Sequence, residues 1–167
     1  MSRAFTKEVD DGPPPPPPTT LGALPAGTPN LVTPDGLARL HAKVKALVEA
    51  GDTAAANALA TRLERAQVVT PDPDPSDLRV RFGDRVEVLV TALRDGAEQT
   101  RRFRIVGVDE VDLRDASHDP GAHEPLSWLA PLAKGLLGAE LGDVFTTTLG
   151  RDAVEVELVA LLPPLSA

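Results

Sequence analysis

The sequence predicts an α+β chain: a short N-terminal antiparallel helical hairpin followed by a C-terminal antiparallel-sheet domain. Three observations predict it. Two apolar seams with three-four-three spacing flank Gly51-Asp52, and a run of alternating proline closes the helical part. From residue 78 onward, runs rich in valine and isoleucine alternate with turn residues.

Four parts follow in order. Residues 1–32 hold the block Pro13 to Pro18 and then Pro25 and Pro29, so they read as a disordered or polyproline II leader. Residues 33–69 read as the hairpin. Thr33-Pro34-Asp35 supplies a hydroxyl cap, a proline at the first helical position and an acid at the positive end of the helix dipole. Leu37, Leu40, Val44 and Leu47 form one seam, and Ala56, Leu59, Leu63 and Ala66 form the other. Gly51 ends the first helix and Asp52 caps the second, so the seams face each other within one chain and a monomer is expected. At about 15 residues per helix the hairpin spans about 22 Å.

Residues 70–77 are an acidic, proline-stiffened linker. Residues 78–167 read as a sheet of about five strands with one short helix. Val80, Phe82, Val86, Val88 and Val90 suggest paired strands around Gly83-Asp84. Arg94-Asp95-Gly96 is a hairpin turn, and 98–108 returns as a strand. Leu126-Ser127-Trp128 is a short strand, and Pro131 opens a helix that Gly138 stops. Segments 143–149 and 153–162 form a closing hairpin.

Composition excludes several functions. The chain has 167 residues, 42% of them hydrophobic, with a net charge of -8. Such an acid excess opposes direct grip on nucleic acid. There is no cysteine, hence no disulfide or thiolate chemistry, and 3% aromatics are too few for a base-stacking platform. No run has the length of a membrane span, and a soluble cytoplasmic protein is expected. His118-Asp119 and His123-Glu124 share one loop but fit no metal template, and read as solvent loop. Arg101, Arg102 and Arg104 read as a solvated sheet face or as a surface for an acidic partner.

Several stretches then point to one family. Phe103-Arg104-Ile105-Val106-Gly107-Val108-Asp109-Glu110 resembles a signature strand of the GreA/GreB transcription elongation factors. Leu126 to Gly138 resembles that family's segment leading through Ser-Pro into a short helix. Gly142-Asp143-Val144, Phe82-Gly83-Asp84-Arg85-Val86, Leu31-Val32-Thr33-Pro34-Asp35-Gly36 and Met1-Ser2-Arg3-Ala4-Phe5 are similar to further family motifs, in the family's order. The resemblance implies an antiparallel coiled coil joined to an FKBP-like domain. It also implies that the domain docks at the rim of the RNA polymerase secondary channel while the coiled coil enters it. Acidic tip residues would then help hold magnesium for cleavage of backtracked RNA by the polymerase.

The chain departs from that pattern in three places. Its seams support only about two heptads per helix, an architecture similar to the Rnk-type regulators with their reduced arm. At the tip Asp52 matches the family's Asp, but Ala55 stands where the family has Glu, with Glu49 as the remaining second carboxylate. Asp52 also has a structural role as a helix cap. In the docking segment Leu129 and Ala130 precede Pro131 where the family has a polar residue and Ser, while Lys134 is kept. Trp128 is either an exposed anchor or a filler of the core.

The expectation is therefore a Gre-like RNA polymerase-binding regulator, not itself an enzyme. It would act at the secondary channel without stimulating cleavage, carry no metal or other cofactor, touch nucleic acid only through the polymerase and need no membrane. Tip residues are Glu49 and Asp52, and polymerase-binding candidates are Trp128, Leu129, Ala130, Pro131 and Lys134. The alternatives are an active cleavage factor using the tip acids, and an interaction module that binds no polymerase. Prolyl isomerase activity would need an aromatic-lined pocket, for which four Phe and one Trp are poor material.

Overall fold

A computed structural model describes residues 24–70, 76–113 and 122–162 of the chain. A short strand β1 (Asn30–Val32) leads into helix α1 (Pro34–Glu49). Helix α2 (Thr53–Leu63) follows, and then strand β2 (Ala66–Val68). Thr33 caps α1 with Pro34 just inside the helix, and Asp52 caps α2, as their side chains and dihedral preferences dictate. Gly51 takes φ +82, a left-handed conformation that lets the chain leave α1 and turn within three residues.

The helices share a core. Leu40, Leu59 and Leu63 are buried with Val32, and Leu37, Val44, Leu47 and Ala66 pack against them. Both seams thus face inward, but their lengths differ from the expectation of about 15 residues each. Helix α1 has 16 residues and α2 has 11, or about 24 and 17 Å at 1.5 Å per residue. The second helix stops well before the proline run because Glu64 and Arg65 reverse the chain. That reversal makes β2 run parallel to β1, with Asn30 opposite Ala66 and Val32 opposite Val68. The expected leader boundary at residue 32 is corrected here: Asn30–Val32 is a strand whose Asn30 and Val32 are buried. The remainder of the leader up to residue 23 lies outside the described residues, as do 71–75 of the linker and 114–121 of the expected polar loop.

Strands β3 (Arg85–Ala92), β4 (Glu98–Val106), β5 (Glu124–Ser127), β6 (Val144–Leu149) and β7 (Asp152–Leu162) form one five-stranded sheet in the order β5-β4-β3-β7-β6. The β3–β4, β3–β7 and β6–β7 pairs are antiparallel, but β4–β5 is parallel, so the sheet is mixed rather than antiparallel throughout. Residues 80–84 are not a paired strand. Val80 instead exchanges backbone bonds with Gly138 and Ala139, and Gly83 N–H bonds to Ile105 C=O. A single turn of 3-10 helix, Val108–Glu110, follows β4 where a longer strand was expected.

Helix α3 (Pro131–Leu136) lies on one face of the sheet. Leu132 and Leu136 join Val86, Val88, Phe103, Ile105, Val156 and Leu158 in a second core, which is the period-2 face of each strand. Gly135 admits α3 closely, since a Cβ there would stand 2.2 Å from the Phe145 ring.

Candidate functional site

The two cores meet at a polar joint built from the motif residues. Thr33 Oγ1 accepts from Gly36 N–H at 3.1 Å, which is its capping bond. The same hydroxyl donates to Glu110 Oε1 at 2.5 Å, while Thr33 N–H and Gly107 N–H donate to Glu110 Oε2 at 3.1 and 2.7 Å. One buried carboxylate therefore ties the start of α1 to the end of β4. Burial pushes the Glu110 carboxyl above its ordinary pKa, and the bonds it accepts only partly offset this.

Beside it, Arg104 on β4 grips Asp35 on α1 through both terminal nitrogens, at 2.8 and 2.6 Å. The Arg104 guanidinium holds the Asp35 carboxyl below its ordinary pKa, against the effect of burial. On the other side, the fully buried Asp109 carboxylate meets Arg62 of α2 at 2.7 Å and accepts from Asn30 Nδ2 at 3.0 Å. Arg39 of α1 reaches Leu113 C=O at 2.5 Å.

Two glycines make the joint possible by their size. A Cβ on Gly36 would stand 1.6 Å from Glu110 Oε1, and one on Gly107 would stand 2.0 Å from Leu31 C=O. Of these residues only Arg104 was singled out as a candidate site from the sequence, as part of the arginine run read as a sheet face or a surface for an acidic partner. The signal was present as two motifs, but nothing in either shows that they close on each other.

The tip lies at the far end of the helices. Glu49 is the last residue of α1, exposed, and 3.9 Å from Lys45. Asp52 is also exposed, and its Oδ1 accepts from the backbone N–H of Ala55 at 3.1 Å. Among the described residues no group of three or more histidines and carboxylates could hold a metal ion. His118 and Asp119 lie outside the described residues; His123 Nε2 is buried without a hydrogen-bond partner among the described residues. Burial, then Arg85 and Arg102, push the His123 imidazole below its ordinary pKa, while Glu124 pairs with Arg101 at 2.5 Å.

Segment 128–134 is split by burial. Trp128 is half-buried and packs against the sheet core, and its Nε1 is buried without a hydrogen-bond partner among the described residues. Leu129 and Ala130 are half-buried, while Pro131 and Lys134 are exposed on the first turns of α3. The arginine run is paired within the chain: Arg101 with Glu124 and over the Phe103 ring, Arg102 with Glu87, Arg104 with Asp35.

A family model for the C-terminal part of the GreA/GreB transcription elongation factors matches residues 75–163, more than half of the chain. The chain belongs to the GreA/GreB family. It is 39% identical over 100 residues to transcription elongation factor GreB of Neisseria meningitidis, covering 59% of this chain and 53% of the relative. Against transcription elongation factor GreA of Yersinia pestis it is 32% identical over 100 residues, covering 60% and 56%. The chain thus spans about half the length of the curated relatives it matches. The crystal structure of GreA factor homolog 1 of Thermus thermophilus aligns with a TM-score of 0.38 and 19% identity, over 79% of this chain and 97% of that one. The Gre match covers only one half of the joint: Arg104, Gly107, Asp109 and Glu110 lie inside it, while Asn30, Thr33, Asp35, Gly36 and Arg62 precede it. Among the described residues no helix is long and apolar enough to cross a membrane.

Proposed function

We propose that this chain is a Gre-like transcription regulator that binds RNA polymerase at the secondary channel and does not stimulate RNA cleavage. In this reading α1 and α2 are a short antiparallel coiled coil, and the sheet with α3 is an FKBP-like anchor that docks at the channel rim. Pro131 and Lys134 make the contact, with Leu129 and Ala130 beside them and Trp128 supporting the loop from the core side. Nucleic acid is met only through the polymerase.

The observation that carries the reading is the reach of the arm. Helices of 16 and 11 residues span about 24 and 17 Å, too little for a rim-anchored arm to bring carboxylates to a deeply placed catalytic centre. The tip chemistry agrees, because metal-assisted hydrolysis needs converging hard oxygen donors, and the tip offers Asp52 and Glu49 with Ala55 standing where the family pattern has Glu.

The test has two arms. Purified chain is expected to be retained by core RNA polymerase at micromolar concentration, with retention lost in a Pro131→Ala, Lys134→Glu variant. On backtracked complexes the wild-type chain is expected to leave the cleavage rate unchanged. Cleavage that is enhanced, and abolished by Asp52→Ala, would establish an active cleavage factor instead. Absence of retention would leave an interaction module with another partner.

A further inference from the structure

The two edges of the sheet are finished differently. Strand β5 has four residues, with Pro125 inside it and the Glu124 carboxylate held by Arg101. Short length, proline and charge are the usual protections of an edge. Strand β6, at the other edge, reads Val-Phe-Thr-Thr-Thr-Leu, six residues with no charge and no proline. Among the described residues nothing pairs with its outer side.

The direction of its backbone groups follows from the β6–β7 hairpin. Leu149 lies opposite Asp152 across the two-residue turn Gly150-Arg151, and Leu158 N–H donates to Asp143 C=O. In such a hairpin the closing pair is hydrogen-bonded, so the odd-numbered residues of β6 bond to β7. The N–H and C=O groups of Val144, Thr146 and Thr148 therefore point to the free edge. The side chains of those three are exposed, whereas Phe145, Thr147 and Leu149 are half-buried on the core side.

We infer that β6 is a self-association edge, pairing antiparallel with β6 of a second copy about a two-fold axis at Thr147. Pairing about that axis places Thr146 opposite Thr148 with both backbone bonds exchanged, and sets Phe145 opposite Leu149. Phe145 and Leu149 already pack against the sheet core, so this register continues one core into the other. Asp143 and Arg151 lie just beyond opposite ends of β6, so pairing about this axis brings Asp143 of each copy toward the turn that carries Arg151 of the other. Glu155 and Glu157 lie one strand inward and are exposed. Across the junction the two β7 strands are three strand spacings apart, about 14 Å, which exceeds the Debye length of about 8 Å at physiological salt. Growth ends at two copies, because only the protected β5 edges remain outside. The expected monomer weighed only the helical seams, which leave the sheet edge out of account.

Sedimentation of the full chain between about 1 and 500 µM is expected to show reversible dimerisation, as fits an interface of this modest size. A Thr146→Lys, Thr148→Lys variant changes only exposed side chains and is expected to weaken the dimer at least tenfold while keeping the circular dichroism spectrum. The absence of native cysteine allows a direct reading of register. Thr147→Cys is expected to form an intermolecular disulfide on mild oxidation, since residues on the axis of a non-hydrogen-bonded pair sit about 4.5 Å apart. A chain that stays monomeric over the whole range overturns the inference, as does a dimer indifferent to both lysines. Faster cross-linking by Thr146→Cys than by Thr147→Cys overturns the register. These readouts do not involve polymerase, so they stand or fall apart from the proposed function.

Discussion

The base and the tip of the helical pair are built on opposite plans. At the base, Asp109 and Glu110 are buried and bound to residues far away in the chain, through Asn30, Thr33 and Arg62. At the tip, Glu49 and Asp52 are exposed, and each is engaged only within three or four residues of itself. A buried polar network is costly unless every partner is present, so it favours one orientation of arm and sheet. An exposed cap makes no such demand. The structure thus specifies where the arm points far more strictly than what its end presents.

The largest expected effect breaks the base sterically. Gly107→Ala forces a methyl group toward Leu31 C=O, where the backbone has no flexible end to yield, and is expected to cost about 3 kcal/mol. Urea unfolding followed by circular dichroism checks it; an unchanged midpoint would mean that the joint is looser than its geometry indicates.

Removing charges at the base gives smaller effects, with opposite dependences on pH. Asp35 has a lowered folded-state pKa, so its contribution is present above the ordinary value of 3.8 and is lost as pH falls through the folded value. Glu110 has a raised one, so its contribution is full below the ordinary value of 4.5 and is lost as pH rises through the folded value. Asp35→Asn is expected to cost about 1 kcal/mol near neutral pH, a figure already reduced for the partial exposure of the carboxylate. Its penalty should shrink in acid. Glu110→Gln should remove part of the stability lost on raising pH above 4.5. Denaturation at several pH values, read as wild type minus variant, cancels the parallel contribution of Asp84, whose pKa burial also raises. Parallel pH profiles for wild type and Glu110→Gln would show that the carboxylate is not desolvated in solution.

The smallest effect lies at the tip. Asp52→Ala removes one exposed capping bond and is expected to cost about 0.5 kcal/mol, a shift of a few degrees or less in thermal midpoint. A loss as large as that of Gly107→Ala would erase the contrast between tip and base.

Much of this contrast was legible before any coordinates. Thr33-Pro34 and Asp52 announce the helix starts because capping is local chemistry, complete within three residues. The seams around Leu40 and Leu59, and the strands 85–92 and 144–149, carry their own periodicities. Strands β1 and β2 were missed because three residues are too few to display a period. The parallel pairing of β5 was missed because strand direction depends on the path of the intervening chain. Trp128 left two readings open; the ring packs against the sheet core while staying half-buried.

The sequence by itself determined the local elements, the two apolar faces and the family motifs, since each depends on neighbours within one or two turns of chain. Only the tertiary structure decided that Thr33 closes on Glu110 and Asp35 on Arg104, 77 and 69 positions apart. The same holds for the edge position of β6, which depends on the order of strands and not on its own six residues. Capping and periodicity act over a few ångströms along the backbone, whereas a salt bridge between distant segments and a sheet edge exist only once the whole chain has packed.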